Sequence, residues 1–305
     1  MPELPEVETI ARGLAKRVVG DRIESVWLGS KPEPLKSTAS RIVSTLEGSR
    51  ISDVRRMGKH IVIELERSAE ESGSRVRRSI GTRARAGRSK TKSAGRSAGA
   101  TPASSARAQW IVHLGMTGQL LVCSPDTQVE KHTHLIAKLQ SGRELRFVDP
   151  RRFGRLSVAM NGDFAAAGSE PLDIEPEPFT DLFRGRKTPI KSALLNQTLL
   201  RGVGNIYADE SLFRAGLRPR RRAATITREQ FRKLHGAVQK VLKEAITLGG
   251  SSISDYVDAD GEEGFFQLQH RVYGREGEPC LVCETPVKRA VIAGRSSHYC
   301  PKCQK

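Results

Sequence analysis

Residues 188–215 read TPIKSALLNQTLLRGVGNIYADESLFRA. Thr188 before Pro189 has the form of a helix N-cap followed by proline at the first helical position, and it predicts a helix running to about Leu200. Arg201-Gly202-Val203-Gly204-Asn205 must interrupt that helix, and the apolar spacing resumes from Ile206 to Ala215. The result is a helix, two tight turns and a second helix. The glycine pair is no dinucleotide loop, because Tyr207 stands at the third glycine position of G-x-G-x-x-G and the pair follows a helix rather than a strand. Gly58-Lys59-His60 fails likewise as a triphosphate loop: Asp53 sits where the first glycine belongs, and His60 replaces the hydroxyl residue.

Working outward, Thr227 and Gln230 form a capping box that opens a helix with Phe231, Leu234, Val238, Val241, Leu242 and Ala245 on one face, ending at Gly249-Gly250. A Gly-, Asp- and Glu-rich loop spans 251–269. Beyond it, Cys280 and Cys283 pair with Cys300 and Cys303 as two C-x2-C knuckles, the spacing of one tetrahedral structural zinc ion, with two disulfides as the alternative. The residues between the knuckles read as two short strands around a turn at Gly294-Arg295, a zinc-pinned hairpin with a cationic tip. Cys123, alone in an apolar stretch, reads as a core thiol.

Upstream, Glu170 to Pro178 is rich in proline and acid and reads as a connection. Before it the chain is mainly β. Val7, Ile10, Leu14 and Val18 mark one helix stopped by Gly20, and strand-like runs cover Arg22–Leu28, Arg50–Leu65, Trp110–Val122, Thr133–Leu139 and Glu144–Ala159. The stretch 68–108 has little to bury and is expected to be a disordered basic insertion.

The 305 residues carry 51 Lys and Arg against 34 Asp and Glu, a net charge of +17. The insertion holds ten bases and two acids, so a surplus of eight charges is local to it and the remainder stays basic. Such a surface points to a polyanion, nucleic acid first. No apolar run reaches the ~20 residues of a membrane span. The opening Met1-Pro2-Glu3-Leu4-Pro5-Glu6 does not have the form of an export signal, so the cytoplasm, at the nucleoid, is the expected compartment. Removal of Met1 before Pro2 would expose a secondary amine with a pKa near ~7.7–8.0, able to attack an electrophilic sugar carbon. Glu3 and Glu6 place two carboxyls beside it to deliver and remove protons.

Pro2-Glu3-Leu4-Pro5-Glu6-Val7-Glu8, His113-Leu114-Gly115-Met116-Thr117-Gly118, Asp149-Pro150-Arg151-Arg152-Phe153-Gly154, Gly202 to Ala208 and the four-cysteine hairpin together resemble the formamidopyrimidine-DNA glycosylases, in family order and across nearly the whole chain outside the insertion. The resemblance implies a repair enzyme that removes 8-oxoguanine and formamidopyrimidines from duplex DNA and then cleaves the strand by β,δ-elimination. It implies Pro2 as nucleophile at C1′, Glu3 as acid and base in sugar opening, Glu6 as a supporting carboxylate and Lys59 as a contact to phosphates beside the lesion. Met116, Arg151 and Phe153 would fill the gap left by the everted base, Asn205 would hold a backbone phosphate, Lys191 would lie near the lesion phosphates or base, and Arg295 would enter the minor groove. The loop from about Ser251 to Phe266 would include the cap over the everted base.

The fold class expected is α+β: an N-terminal β-sandwich with flanking helices over 1–168, a connection over 169–188, a helix–two-turn–helix domain over 189–269 and the zinc hairpin over 270–305. The partner is damaged double-stranded DNA, bound by a monomer, with one zinc ion as cofactor. The rival readings are the endonuclease VIII branch, which prefers oxidised pyrimidines, and a DNA-binding relative without catalysis. Leu4, where that branch tends to have glycine, and the set Met116, Arg151 and Phe153 favour the purine branch. If 68–108 is a DNA tether, its deletion flattens the salt dependence of DNA binding and leaves single-turnover base excision unchanged. A large fall in excision rate would place it in the site instead.

Overall fold

The computed structural model describes residues 1–67, 106–251 and 264–305, so the body of the basic insertion and most of the expected capping loop lie outside the described residues. Helix α1 (Leu4–Val18) opens the chain. Then come β1 (Ile23–Leu28), α2 (Ala39–Leu46), β2 (Arg50–Met57), β3 (His60–Arg67), β4 (Ala106–His113), β5 (Gln119–Cys123), β6 (Thr133–Leu139), β7 (Glu144–Val148) and β8 (Arg155–Met160). The strands form two four-stranded antiparallel sheets, ordered β1-β6-β7-β5 and β2-β3-β4-β8. Trp110, Phe147, Ile61, Leu120 and Leu135 pack between them, with Ile10, Leu14 and Val18 of α1 closing the same core.

Three of the long strand-like runs divide where a turn must fall: at Gly58-Lys59, at Leu114–Gly118 and at Asp149–Gly154. Apolar continuity alone does not mark these breaks, because buried apolar residues stand on both sides of each turn, Val54 and Ile61, Val112 and Leu120, and Val148 and Leu156. Helix α2, with Ile42 and Leu46 inward, is not marked by the strand pattern around it. Cys123 sits half-buried on the edge strand β5 rather than in the core.

The second half is helical: α3 (Pro176–Phe183), α4 (Ile190–Leu194), α5 (Asn205–Arg214) and α6 (Arg228–Thr247). The Pro-rich stretch read as a bare connection thus holds α3, whose Phe179 and Phe183 pack into the helical core. Pro at the start of α3 suits a first turn, where no backbone donor is lost. Pro189 itself caps α4, and that helix ends at Leu194 instead of running to Leu200. The residues after it turn because the Asn196 side chain accepts the N–H of Thr198 at 2.9 Å and Gln197 accepts that of Gly202 at 2.9 Å, which replaces helical bonding. The capping box at Thr227 and Gln230 opens α6 as expected.

The four cysteines gather below a hairpin of β9 (Lys288–Ile292) and β10 (Arg295–Tyr299). Its turn falls at Ala293-Gly294, both with positive φ (48° and 76°), one residue before the position the sequence suggested. Arg295 therefore begins β10. Phe213, Val272, Val287, Cys280 and Cys300 form a small separate core that seats the hairpin on α5. Among the described residues, no helix is long and apolar enough to cross a membrane.

A buried ion network ties the two halves together. The guanidinium of Arg56, 6% exposed, donates to Glu8 at 2.7 Å and to both oxygens of Glu170, the closer at 2.7 Å, while Arg201 reaches Glu170 at 3.1 Å. Removing one partner of a buried pair strands the other charge. Glu170→Ala is expected to lower stability by about 3 kcal/mol, read from the midpoint of urea unfolding; a change within about 0.5 kcal/mol, the level of an ordinary surface substitution, would show the network to be idle.

Candidate active site and DNA-binding cleft

The first turn of α1 holds the two candidate proton-transfer carboxyls, and its shape follows from a reciprocal capping box: the Glu3 side chain caps the N–H of Glu6, and Glu6 Oε2 accepts the N–H of Glu3 at 2.8 Å. This turn does not face solvent. Leu4 enters the helical core and donates its N–H to the carbonyl of Gly202 at 3.0 Å. The two glycines of the inter-helix turn are explained by that approach. A Cβ on Gly202 would come within 2.8 Å of the Leu4 side chain, and one on Gly204 would overlap the Glu3 carboxyl. Gly202 also adopts φ +87°, which suits glycine alone. Gly202-Val203-Gly204 is thus the bed for the first turn of α1.

Glu3 Oε1 accepts the N–H of Ile206 in the first turn of α5 at 3.2 Å, whereas Oε2 is buried with no hydrogen-bond partner. Burial pushes the Glu3 carboxyl up to about 7, against the pull of the Lys59 ammonium. Glu6 is enclosed too. It accepts the Tyr207 hydroxyl and, at 2.8 Å, the N–H of Ser251, and burial still raises it above the usual carboxylate range. Lys59, in the tight turn between β2 and β3, is nearly buried; burial lowers its ammonium, Glu3 and Glu6 oppose that, and Arg295 reinforces it. Three chain segments therefore bring an amine terminus, two strained carboxyls and a perturbed lysine together. Pro2 is buried beneath Met1, which is 48% exposed in the cavity mouth.

The cavity measures about 520 Å³ and is lined by Glu3, Lys59, Met116, Asn205, Tyr273 and Arg295 among others. Beside it stand the three gap-filling candidates. Met116 and Phe153 are 40% and 51% exposed although large and apolar, and the Arg151 guanidinium lies 4.8 Å from the centre of the Phe153 ring. Asp149 holds them together: it accepts Thr117 Oγ1 at 2.6 Å, the N–H of Arg151 at 3.2 Å and the N–H of Gly154 at 2.7 Å. Gly115, with φ +66°, lets the Met116 turn touch the Phe153 backbone, since a Cβ there would stand 2.5 Å from the Phe153 carbonyl carbon. An exposed apolar cluster on so rigid a mount is built for contact.

Asn205 begins α5, donating to Ser296 Oγ at 3.3 Å and leaving Oδ1 buried and unpartnered. Lys191 is the lysine expected near the lesion phosphates or base. It is fully buried, ion-paired to Asp209 at 2.7 Å and donating to the carbonyl of Ser296 at 2.6 Å, so its charge joins the helical half to the hairpin. Asp209 also accepts Ser297 Oγ at 3.1 Å and the N–H of His298 at 2.9 Å. Glu210, its neighbour, accepts the N–H groups of Arg271, Val272 and Tyr273 at 2.9–3.0 Å and so delivers Tyr273 to the cavity wall. Sequence reading passed over Asp149, Tyr207, Asp209, Glu210 and Tyr273. Of these only Asp149 carried a local signal, an Asx-Pro turn former.

The four cysteine sulfurs lie within 4.8 Å of one another, with Cys280 to Cys303 at 3.9 Å and Cys283 to Cys300 at 3.5 Å. A tetrahedron of thiolates about 2.3 Å from zinc needs sulfurs about 3.8 Å apart. The donor set and spacing suit one zinc ion, which would hold the hairpin far along the chain from the carboxyls.

Residues 1–156 match the formamidopyrimidine-DNA glycosylase N-terminal domain, 167–257 the formamidopyrimidine-DNA glycosylase H2TH domain, and 277–305 the zinc finger found in FPG and IleRS. The chain is 43% identical to the formamidopyrimidine-DNA glycosylase of Solibacter usitatus and 39% identical to that of Gluconobacter oxydans, over the full length of both partners in each case. It superposes on the crystal structure of MutM (Fpg) from Thermus thermophilus with a TM-score of 0.77 at 38% identity, covering 99% of this chain and 98% of that one. A Lactococcus lactis Fpg mutant in complex with Fapy-dG-containing DNA gives a TM-score of 0.81 at 29% identity over all of both chains. With the capped first turn of α1, the glycine bed beneath it and the four-cysteine hairpin each in place, the chain belongs to the formamidopyrimidine-DNA glycosylase family.

Proposed function

We propose that this protein excises oxidised purines from duplex DNA and cleaves the strand at the resulting abasic site, with Pro2 as the nucleophile. The observation that carries the reading is the convergence of the Pro2 turn, the Glu3 carboxyl held near neutrality and Lys59 on one cavity flanked by Met116, Arg151 and Phe153. Solved relatives are bound to DNA containing Fapy-dG, carbocyclic 8-oxo-G or an abasic site, which supports the same substrates here.

In this division of labour 1–168 carries the chemistry, 189–269 and 270–305 grip the DNA, and 169–188, whose α3 packs into the helical core, joins them. Once Met1 is removed, the unprotonated Pro2 nitrogen adds to C1′ of the damaged nucleotide and the bond from C1′ to the base breaks. Glu3 protonates the ring oxygen as the sugar opens, leaving a Pro2 iminium. Loss of a C2′ proton then expels the 3′ phosphate, and a second elimination expels the 5′ phosphate. Lys59 and Asn205 hold phosphates beside the lesion, and Arg295 reaches the minor groove from the start of β10. Met116 and Phe153 replace lost stacking while Arg151 donates to the orphaned base. Glu6 supports the turn by binding Glu3, Tyr207 and Ser251 at once.

Borohydride reduction in the presence of duplex DNA containing 8-oxoguanine opposite cytosine is expected to trap a covalent adduct that Pro2→Gly abolishes while DNA binding persists. Binding without any adduct in the wild-type protein would make it a non-catalytic DNA-binding module.

The Glu3 carboxyl gives a second test. Its folded pKa of about 7 exceeds the ordinary 4.5, so the folded state binds this proton more tightly than the unfolded chain, and stability is lost as pH rises from the lower value through the higher. Glu3→Gln removes that loss: it should match wild-type stability near pH 4 and exceed it at pH 8 by about 3 kcal/mol, measured by chemical denaturation at each pH. A difference independent of pH would show that Glu3 is not held near neutrality.

A further inference from the structure

We propose that a cationic face outside the lesion cleft, built from the ends of α3 and α4, the 218–222 turn and the outer strand β9, is a second DNA-backbone contact that engages the duplex beyond the lesion. The proposal rests on the reading that the cleft binds DNA and extends it to residues with no part in that chemistry.

Two segments are locked together by their backbones, and a third is joined to them through an arginine side chain. Ala224 donates its N–H to the carbonyl of Arg186 at 2.8 Å, Ile190 to that of Arg221 at 2.8 Å, and Ala223 to that of Thr188 at 3.1 Å. The Arg220 guanidinium reaches the carbonyl of Val291 in β9 at 3.2 Å. The face so formed displays Arg186, Lys187, Arg220, Arg222 and Arg289, all exposed, Arg289 sharing the outward side of β9 with Val291. No acidic residue occurs in 184–191, 217–228 or 286–299.

The pairing pattern separates this face from other parts of the surface. Elsewhere several cations are answered by carboxylates: Arg12 by Glu8, Arg214 by Glu244, Arg232 by Glu177 and Lys233 by Glu229, at 2.6–2.8 Å. Among the described residues, none of these five has an ion-pair partner. Arg186 and Arg220 are instead anchored on carbonyl oxygens, those of Leu182 at 2.6 Å and Val291 at 3.2 Å. A guanidinium ordered by a neutral acceptor keeps its full charge and has already given up much of its rotamer freedom. Such a group is pre-organised for a phosphate. The face also continues the cleft: Lys191 ties the start of α4 to Ser296, and Ser296 and Arg295 line the cavity from the hairpin. A duplex lying in the cleft and leaving past the hairpin therefore meets these cations in sequence. The partner is the DNA phosphodiester backbone, read without regard to sequence.

The test compares lesion duplexes of about 12 and about 30 base pairs, with affinity measured against salt concentration, since each phosphate contact contributes about 0.9 to the slope of log K against log salt. The wild-type protein should show a steeper slope on the long duplex. The triple variant Arg220→Ala, Arg222→Ala, Arg289→Ala should lose about 2 to 3 units of that slope on the long duplex only, while single-turnover excision at saturating enzyme is unchanged. Replacing the same three by lysine should restore the slope, and Arg232→Ala with Lys233→Ala, on the paired face, should leave it alone. Where the alanine variant unfolds, Arg222→Ala with Arg289→Ala, whose side chains make no hydrogen bond among the described residues, reads the same loss at smaller size. Equal slopes for wild type and variants on the long duplex would overturn the proposal. Failure of the catalytic reading is seen separately, as absence of a borohydride adduct in the wild-type protein.

Discussion

The structure depends on one close approach: the first turn of α1 lies against the bare backbone of Gly202 to Gly204. Leu4 is buried in the helical core although the rest of α1, from Val7 to Val18, belongs to the sandwich core. A single helix is thus shared between two hydrophobic clusters, and the point of sharing carries the two raised carboxyls, Glu3 and Glu6. Any side chain larger than hydrogen at Gly202 or Gly204 would push Leu4 or Glu3 away. The halves cannot shift relative to each other without moving the Glu3 carboxyl.

That placement explains the electrostatics. Glu3 and Glu6 are carboxyls brought close together under cover, which neither solvent nor charge neutralisation fully compensates, and burial drives both upward. Lys59 balances part of the cost for Glu3 and is itself weakened as a cation by the same burial. The Arg56, Glu8, Glu170 and Arg201 network lies behind these groups, with Arg56 reaching the carbonyl of Gly58 beside Lys59 and Arg201 preceding the glycine bed. A fully paired network on one side allows under-compensated groups on the other, and under-compensated titratable groups are the ones able to move protons near neutrality.

Much of this was legible in the residues. The capping signals at Thr227 and the helical spacing from Val7 to Val18 specify local structure through hydrogen bonds that span four residues or fewer, so they survive without tertiary context. The C-x2-C knuckles are likewise local. The helix expected to run from Thr188 to Leu200 fails after Leu194 because Asn196 and Gln197 capture backbone N–H groups, a competition whose winner depends on Leu199 and Leu200 being drawn into contact with Ser169 and the helical core. Lys191 shows the same limit: its residue type suits a phosphate, yet its fate is set by Asp209, eighteen positions later on the next helix.

What the sequence determined by itself is chemical identity and order: an imino acid followed by two carboxyls, a glycine-flanked turn, a four-thiolate hairpin and a basic surplus, each encoded by short-range spacing. What only the tertiary structure decided is which of those groups are denied water and which are denied partners. Glu3 reaches about 7 because α5 and the Lys59 turn close over it, and Arg220 stays unpaired because the segments folded beside it carry no acid. Solvation and pairing are properties of neighbours distant along the chain, and no spacing rule within a segment fixes them.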